Sequence, residues 1–497
     1  MVLAVLVLAL LYLVTLVYAA GETMLAGAFL VTVALALWTY TSAKTIALRY
    51  LFPGVAAAVI FVVLPMVYTV SIGFTNYSST NLADVERSRR FLLDEVAPGS
   101  GPAYGFTLHP DGSSFRIRLE NQDDDKLAFV SAPLALPKPA TPEVTTAAED
   151  AAKPLQEALT LKDVIAQQSA LKALTLVLPD GTKLKMTGLR AFGTVQPLYK
   201  ANPDGTLTNT ADNTLVKPNV ETGFFETAAG EKLAPGFRVN IGFDHYRRVF
   251  TDEKLREPFV RIFVWTVAFA ALSVALSAGL GLLLAVLLNW ESLRGRGVYR
   301  LLLFLPYAVP SFISILIFKG LFNQNLGEIN LILNGLFGIK PQWFADEFLA
   351  KVMILAVNTW LGFPYMMVVC MGLIKAISSD LYEASAVAGA GPLTNFFQIT
   401  APLIIKPLTP LLISAFAFNF NNFVLIALLT NGRPDFIGTA VPAGATDILV
   451  SYTMRLAFQD SGQQFGLACA IATVIFFLVG AITLVQMRFT KLSAENR

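Results

Sequence analysis

Eight apolar stretches, each close to the thickness of a bilayer core, limit what this 497-residue chain can fold into. A helix crossing roughly 30 Å of hydrocarbon needs about 20 apolar residues at 1.5 Å each. The stretches run from about Met1 to Tyr18, Met24 to Thr41, Leu51 to Ser71, Ile262 to Leu288, Leu301 to Phe318, Val352 to Ile374, Pro407 to Asn431 and Phe465 to Met487. None carries Asp, Glu, Lys or Arg in its interior. Only 14% of the chain is charged, against about 25% in a soluble domain, and lipid cannot solvate those groups. The expected fold is an all-α polytopic membrane protein with eight transmembrane helices. The first stretch also has a reading as a signal peptide, with a faint cleavage site at Tyr18-Ala19-Ala20. However, no basic residue precedes Lys44, whereas a signal peptide opens on a charged segment.

Orientation follows from Lys and Arg in the short loops. With the N-terminus inside, the cytoplasmic loops hold ten, at Lys44, Arg49, Arg294, Arg296, Arg300, Lys375, Lys406, Arg488, Lys491 and Arg497. The outer loops hold five, at Lys319, Lys340, Lys351, Arg433 and Arg455. Both termini are therefore expected in the cytoplasm.

The polar segment between the third and fourth stretches reads as an inserted, β-rich extracytoplasmic domain. Ser114 to Glu120 alternates, and Ala173 to Leu178 and Thr182 to Met186 flank a Pro-Asp-Gly turn at Pro179. A second Pro-Asp-Gly stands at Pro203. Glycine supplies the positive φ such turns require. Ala132 to Lys153, rich in Pro, Ala and Thr, reads as a linker or long loop, and Asp123-Asp124-Asp125 as a solvated turn rather than a calcium loop. The expected organisation is helices 1–3 over residues 1–72, the outer domain over 73–255, and a core of helices 4–8 over 256–497 with a cytoplasmic loop at 375–406.

The chain carries no P-loop, Gly-x-Ser-x-Gly, His-Glu-x-x-His or Cys-x-x-Cys, so no catalytic residue, metal site or cofactor is expected. The spans hold no ionisable relay, so if the chain drives transport its energy would have to enter from elsewhere. A net charge of +2 gives no reason to expect nucleic acid. Cys370 and Cys469 sit in apolar runs and read as packing residues.

The loop after the sixth stretch is the most informative. It reads Ser-Asp-Leu-Tyr-Glu-Ala-Ser-Ala-Val-Ala-Gly-Ala-Gly-Pro over residues 379–392 and reaches Ile399 and Pro402. It is expected to be a helix, a turn and a second helix. Asp380 and Glu383 have capping-box spacing, Gly389 and Gly391 stop the first helix, and Pro392 opens the second. It resembles the EAA motif of ABC importer permeases, with Ser385 in place of the second Ala. The resemblance implies that Glu383, Ala384, Gly389, Gly391, Ile399 and Pro402 belong to a loop that docks on a cytoplasmic ATPase. The other reading is that Glu383 merely caps its own helix.

Gly242 to Phe250 resembles an entry segment common in sugar permeases, and Phe304 to Ser311, Trp360 to Tyr365 and Phe416 to Phe423 extend the likeness to the MalF-type permeases of maltose and maltodextrin importers. That family implies a bacterial inner-membrane, multi-pass subunit without enzymatic activity. Its partners would be a MalG-like second permease, two MalK-like ATPases, a periplasmic sugar-binding protein and membrane lipid. It also implies a sugar cavity lined by Tyr307, Ser311, Leu361, Gly362, Tyr365, Asn419 and Asn422. Asn419, Asn421 and Asn422 inside an apolar run are costly unless they face a wet cavity or join helices, and both readings stand. Ala415 replaces a family Ser, with Ser414 one place earlier, about 100° around the helix. Two other classes remain open from sequence, a stand-alone secondary sugar transporter and a membrane sensor or receptor.

Overall fold

A computed structural model describes residues 2–121, 128–136, 143–148, 155–290, 292–439, 441–459 and 463–495. Asp123 to Asp125 lie outside them. The chain divides into a helical unit, Met1–Ser79 with Asn240–Arg497, and a second compact unit, Thr80–Val239.

The helical unit begins with α1 (Val2–Ala19), α2 (Thr23–Thr41) and α3 (Ala43–Gly73). After the second unit come α4 (Asp244–Thr251), α5 (Glu253–Asn289), α6 (Arg296–Ala308), α7 (Ser311–Leu321), α8 (Glu328–Phe337) and α9 (Glu347–Lys375). The chain then forms α10 (Ser379–Val387), α11 (Pro392–Phe420), α12 (Phe423–Leu429), α13 (Leu449–Phe458) and α14 (Phe465–Glu495). Among the described residues six helices are long and apolar enough to cross a membrane, or seven if the bent pair α6–α7 is one span. The first apolar stretch is a shorter helix by that measure.

Two expected spans are broken, each for a local reason. The stretch Leu301 to Phe318 is not one rod, because α6 and α7 meet at 92°. Val309 precedes Pro310 and is pushed to the extended region, with φ −86° and ψ 131°. The seventh stretch stops at Phe420 instead of reaching Asn431. Asn422 leaves the helical region, and its Oδ1 accepts from the Leu425 amide at 3.4 Å, capping the new helix α12.

The long helices α5 and α9 form the core crossing. Asp346 caps α9 by accepting from Leu349 N at 2.8 Å, with Glu347 in its first turn and Lys375 in its last, matching the helix dipole. A Cβ at Gly281 of α5 would stand 2.7 Å from the backbone N of Met367 on α9. Only glycine lets the two helices approach this closely. Met353, Ile354, Val357 and Cys370 of α9 are fully buried.

The second unit holds a closed barrel of β1 (Val96–Asp111), β2 (Ser114–Asn121), β3 (Ala128–Ser131), β4 (Glu143–Ala148), β5 (Thr175–Val177), β6 (Lys183–Gly188) and β7 (Ala191–Pro197). Neighbours are antiparallel except β4 and β5. Leu108, Ile117, Leu119, Leu176, Leu184 and Phe192 fill its interior at 0% exposure. A five-stranded sheet follows, from β8 (Tyr199–Ala201) through β9 (Leu207–Asn209), β10 (Leu215–Asn219) and β11 (Phe224–Thr227) to β12 (Lys232–Leu233).

Both Pro-Asp-Gly segments are turns, with φ +87° at Gly181 and +84° at Gly205. The expected linker contains β4, whose inward positions are Val144 and Thr146. With a single large apolar residue, this strand has too weak an alternation to read from sequence. The compact unit is narrower than the expected 73–255 at both ends. Asp244–Thr251 is a helix of the other unit, where the His245 ring nitrogen Nε2 lies 3.0 Å from the Thr75 carbonyl oxygen.

Candidate functional site

The break between α6 and α7 opens a cavity of about 740 Å³ inside the helical unit. Ser273 and Ser277 of α5 line one side. Tyr307 and Ser311 flank the break, and Asn358, Leu361, Gly362 and Tyr365 come from α9. Ser414, Ala415, Phe418 and Asn419 of α11 and Asn422 at the head of α12 complete the wall. All seven residues expected at a sugar site therefore border one space. The rings of Tyr307 on α6 and Tyr365 on α9 lie 6.2 Å apart at 18°, stacked on each other. Such faces suit the C–H surface of a sugar ring.

The asparagines part company. Asn421 turns away from the cavity and bonds back to the Ala417 carbonyl at 3.2 Å. Asn419 and Asn422 meet on Asn358, a buried residue that sequence reading missed. Asn358 Nδ2 donates to Asn419 Oδ1 at 2.6 Å, and Asn422 Nδ2 donates to Asn358 Oδ1 at 3.3 Å. Asn419 Nδ2 also donates to the Ala415 carbonyl at 2.8 Å. A side-chain amide has two N–H donors. Asn419 and Asn422 each spend one, and among the described residues each keeps one unspent beside the cavity.

Phe418 faces the cavity, while Phe416 and Phe420 pack into the core formed with α13 and α14. Ser414 does reach the cavity, but its Oγ donates to the Pro410 carbonyl at 3.0 Å, so it replaces the missing hydroxyl at Ala415 only as an acceptor.

The loop between α9 and α11 is a helix–turn–helix, with two corrections. Its cap is Ser378, whose Oγ accepts from Asp380 N, so Glu383 lies beyond the capping-box position. Glu383 is exposed and makes no hydrogen bond or ion pair among the described residues. The left-handed residue is Gly389, at φ +77°, whereas Gly391 is extended at φ −80° and ψ 170°. Pro392 does open the second helix. Ala384 and Pro402 are exposed and Ile399 is half-buried. Ser385, the departure from the motif, donates its hydroxyl to Asn395 Oδ1, and Tyr382 and Thr400 pair their hydroxyls at 2.9 Å. The two helices are thus fastened to each other.

Two family profiles match the chain. Residues 84–242 match the maltose transport system permease protein MalF P2 domain, and residues 277–491 match the binding-protein-dependent transport system inner membrane component. The Maltose/maltodextrin transport system permease protein MalF of Yersinia pestis is 50% identical over 492 residues, spanning 97% of this chain and 92% of the relative. That of Escherichia coli strain K12 is 50% identical over 491 residues, with 97% and 95% covered. That of Photorhabdus laumondii is 51% identical over 494 residues, with 97% and 94% covered. Among solved structures, a bacterial ABC transporter involved in the import of alginate is similar at a TM-score of 0.44 and 22% identity, covering 50% of this chain and 84% of that one. At this coverage and identity to the relatives, the chain belongs to the MalF family of maltose/maltodextrin transport system permeases.

Proposed function

We propose that the chain is the membrane-spanning permease subunit of an ATP-driven importer that carries maltose or maltodextrins into the cytoplasm. The observation that carries this reading is the convergence of Tyr307, Ser311, Leu361, Gly362, Tyr365, Asn419 and Asn422 on one cavity. In this reading α1 completes a set of eight spans and α6–α7 forms one broken span. Both termini lie in the cytoplasm, and the barrel-bearing unit is exposed outside, between the third and fourth spans. Tyr307, Tyr365 and Phe418 hold the apolar faces of a glucosyl ring. The free amide N–H groups of Asn419 and Asn422 take its hydroxyls, and the break at Val309–Pro310 frees backbone groups beside them.

The partners are a MalG-like permease, two MalK-like ATPases and a periplasmic sugar-binding protein. Glu383, exposed and unpaired among the described residues on a stiffened helix–turn–helix, meets an arginine of an ATPase. Residues 383–402 then pass the ATPase movement to α9 and α11, which carry the cavity wall. ATP hydrolysis stays on the partner. The test is co-purification of the tagged chain from its native membrane. Recovery of an ATPase and a second permease, with maltose-stimulated ATP hydrolysis in the reconstituted complex, is the expected result. Recovery of the chain alone, still transporting sugar, would refute it.

A further inference from the structure

Ser273 and Ser277 stand one helical turn apart on α5, so both project from the same face. That face borders the cavity. Ser273 is fully buried, yet its Oγ has no hydrogen-bond partner. Ser277 is 6% exposed, and its hydroxyl likewise makes no bond among the described residues.

Other hydroxyls on these helices behave differently. Thr266 donates to the Ile262 carbonyl at 2.6 Å, Thr359 to Leu355 at 2.7 Å, Thr409 to Ile405 at 2.7 Å and Ser414 to Pro410 at 3.0 Å. Serine and threonine in an apolar helix commonly satisfy themselves on the carbonyl four residues back. Ser273 and Ser277 forgo that bond. A buried hydroxyl left open is costly, and such exceptions call for a partner that is not part of the chain. Gly362, on the facing helix, clears the space. A Cβ there would stand 2.7 Å from Ser277 Oγ.

We infer that Ser273 and Ser277 form a second hydroxyl-binding wall of the cavity, on α5, in addition to the asparagines. It takes the hydroxyls of a neutral glucosyl unit. A serine hydroxyl both donates and accepts, as a sugar hydroxyl does, and neither serine brings charge. With one wall on α5 and another on α11, a ring is gripped from two sides, and orientation as well as affinity is set. This rests on the proposal that the cavity is the sugar path.

The experiment measures ATP-driven uptake of labelled maltose in proteoliposomes holding the full complex. It compares wild type, Ser273→Ala, Ser277→Ala, the double variant and Asn419→Ala. Losing one ligand hydrogen bond lowers uptake roughly tenfold at subsaturating sugar. The double variant is therefore expected to show at least that loss, as a raised KM, with wild-type yield of assembled complex. Double-variant uptake within twofold of wild type, beside an impaired Asn419→Ala, would overturn the serine wall and leave the cavity reading intact. That is also the outcome if the hydroxyls hold only water. Wild-type uptake in Asn419→Ala too would bring down the cavity reading itself. A double variant that fails to assemble would assign the serines a structural role and overturn the inference.

Discussion

Asn358 donates its side-chain amide to Asn419 Oδ1 at 2.6 Å, tying α9 to α11 at the wall of the cavity. The same residue accepts from Asn422, so one buried amide sets the orientation of two others. Replacing Asn358 by leucine removes both bonds and leaves two polar groups facing apolar surface. The expected cost is roughly 1–3 kcal/mol for the unpaired groups. Thermal unfolding of the purified complex should shift down, and maltose uptake should fall further than the stability loss accounts for.

The loop between α9 and α11 separates two glycines by backbone alone. At φ +77°, Gly389 cannot take a β-branched residue without strain of about 1–2 kcal/mol or more. Gly391 at φ −80°, with open space around a would-be Cβ, tolerates one. Gly389→Val should reduce maltose-stimulated ATP hydrolysis severalfold in the reconstituted complex, and Gly391→Val should affect it less.

Glu383 makes no bond among the described residues, so Glu383→Gln changes little in its own helix. If the carboxylate meets an arginine, the change replaces a charge-assisted hydrogen bond by a neutral one of about half the strength. ATPase association, read by co-purification yield, should weaken while the permease still reaches the membrane.

Three exposed aspartates of the barrel-bearing unit share one device. Asp180, Asp204 and Asp212 each accept from the amide two residues on, in Thr182, Thr206 and Thr214. The Thr206 hydroxyl and amide hold the Asp204 carboxyl below its ordinary value of 3.8. The Thr182 and Thr214 amides lower the other two. Carboxylates depressed by folding contribute stability above their unfolded pKa and lose it as pH falls through the folded one. Hydrogen exchange at Thr206, corrected for intrinsic rate, should be flat from neutrality to about pH 5 and rise below about 4.

Topology is tested by single cysteines in a background lacking Cys370 and Cys469. Ala211→Cys, at an exposed turn of the barrel-bearing unit, should be labelled by an impermeant thiol reagent in spheroplasts. Arg296→Cys, at the start of α6, should be labelled only after the membrane is opened. Labelling of Arg296→Cys from outside would contradict the orientation.

Much of this architecture was legible because lipid imposes a length and forbids charge, as the apolar runs of α5, α9 and α14 show. The barrel's β2 and the hairpin at Pro179 were legible from alternation and turn chemistry. Breaks were harder. Pro310 stands in plain sight, but hydropathy counts it as one residue in an apolar run, and the 92° bend appears only when Val309 is seen extended. Ser378 caps the loop helix where the sequence pointed to Asp380, because both are good capping residues two places apart. Asn358 and Ser273 went unseen for a different reason. A lone polar side chain in an apolar helix announces nothing until the facing helices bring it against Asn419 or an open cavity.

The central claim is that sugar crosses through this chain only when ATP is hydrolysed by a partner. The direct measurement is accumulation of labelled maltose in proteoliposomes containing this chain with its second permease, ATPase and binding protein. Accumulation that requires ATP on the ATPase side, persists when proton and sodium gradients are collapsed, and is lost in Asn419→Ala is the predicted result. Accumulation by this chain alone, driven by an ion gradient without ATP, would contradict the account.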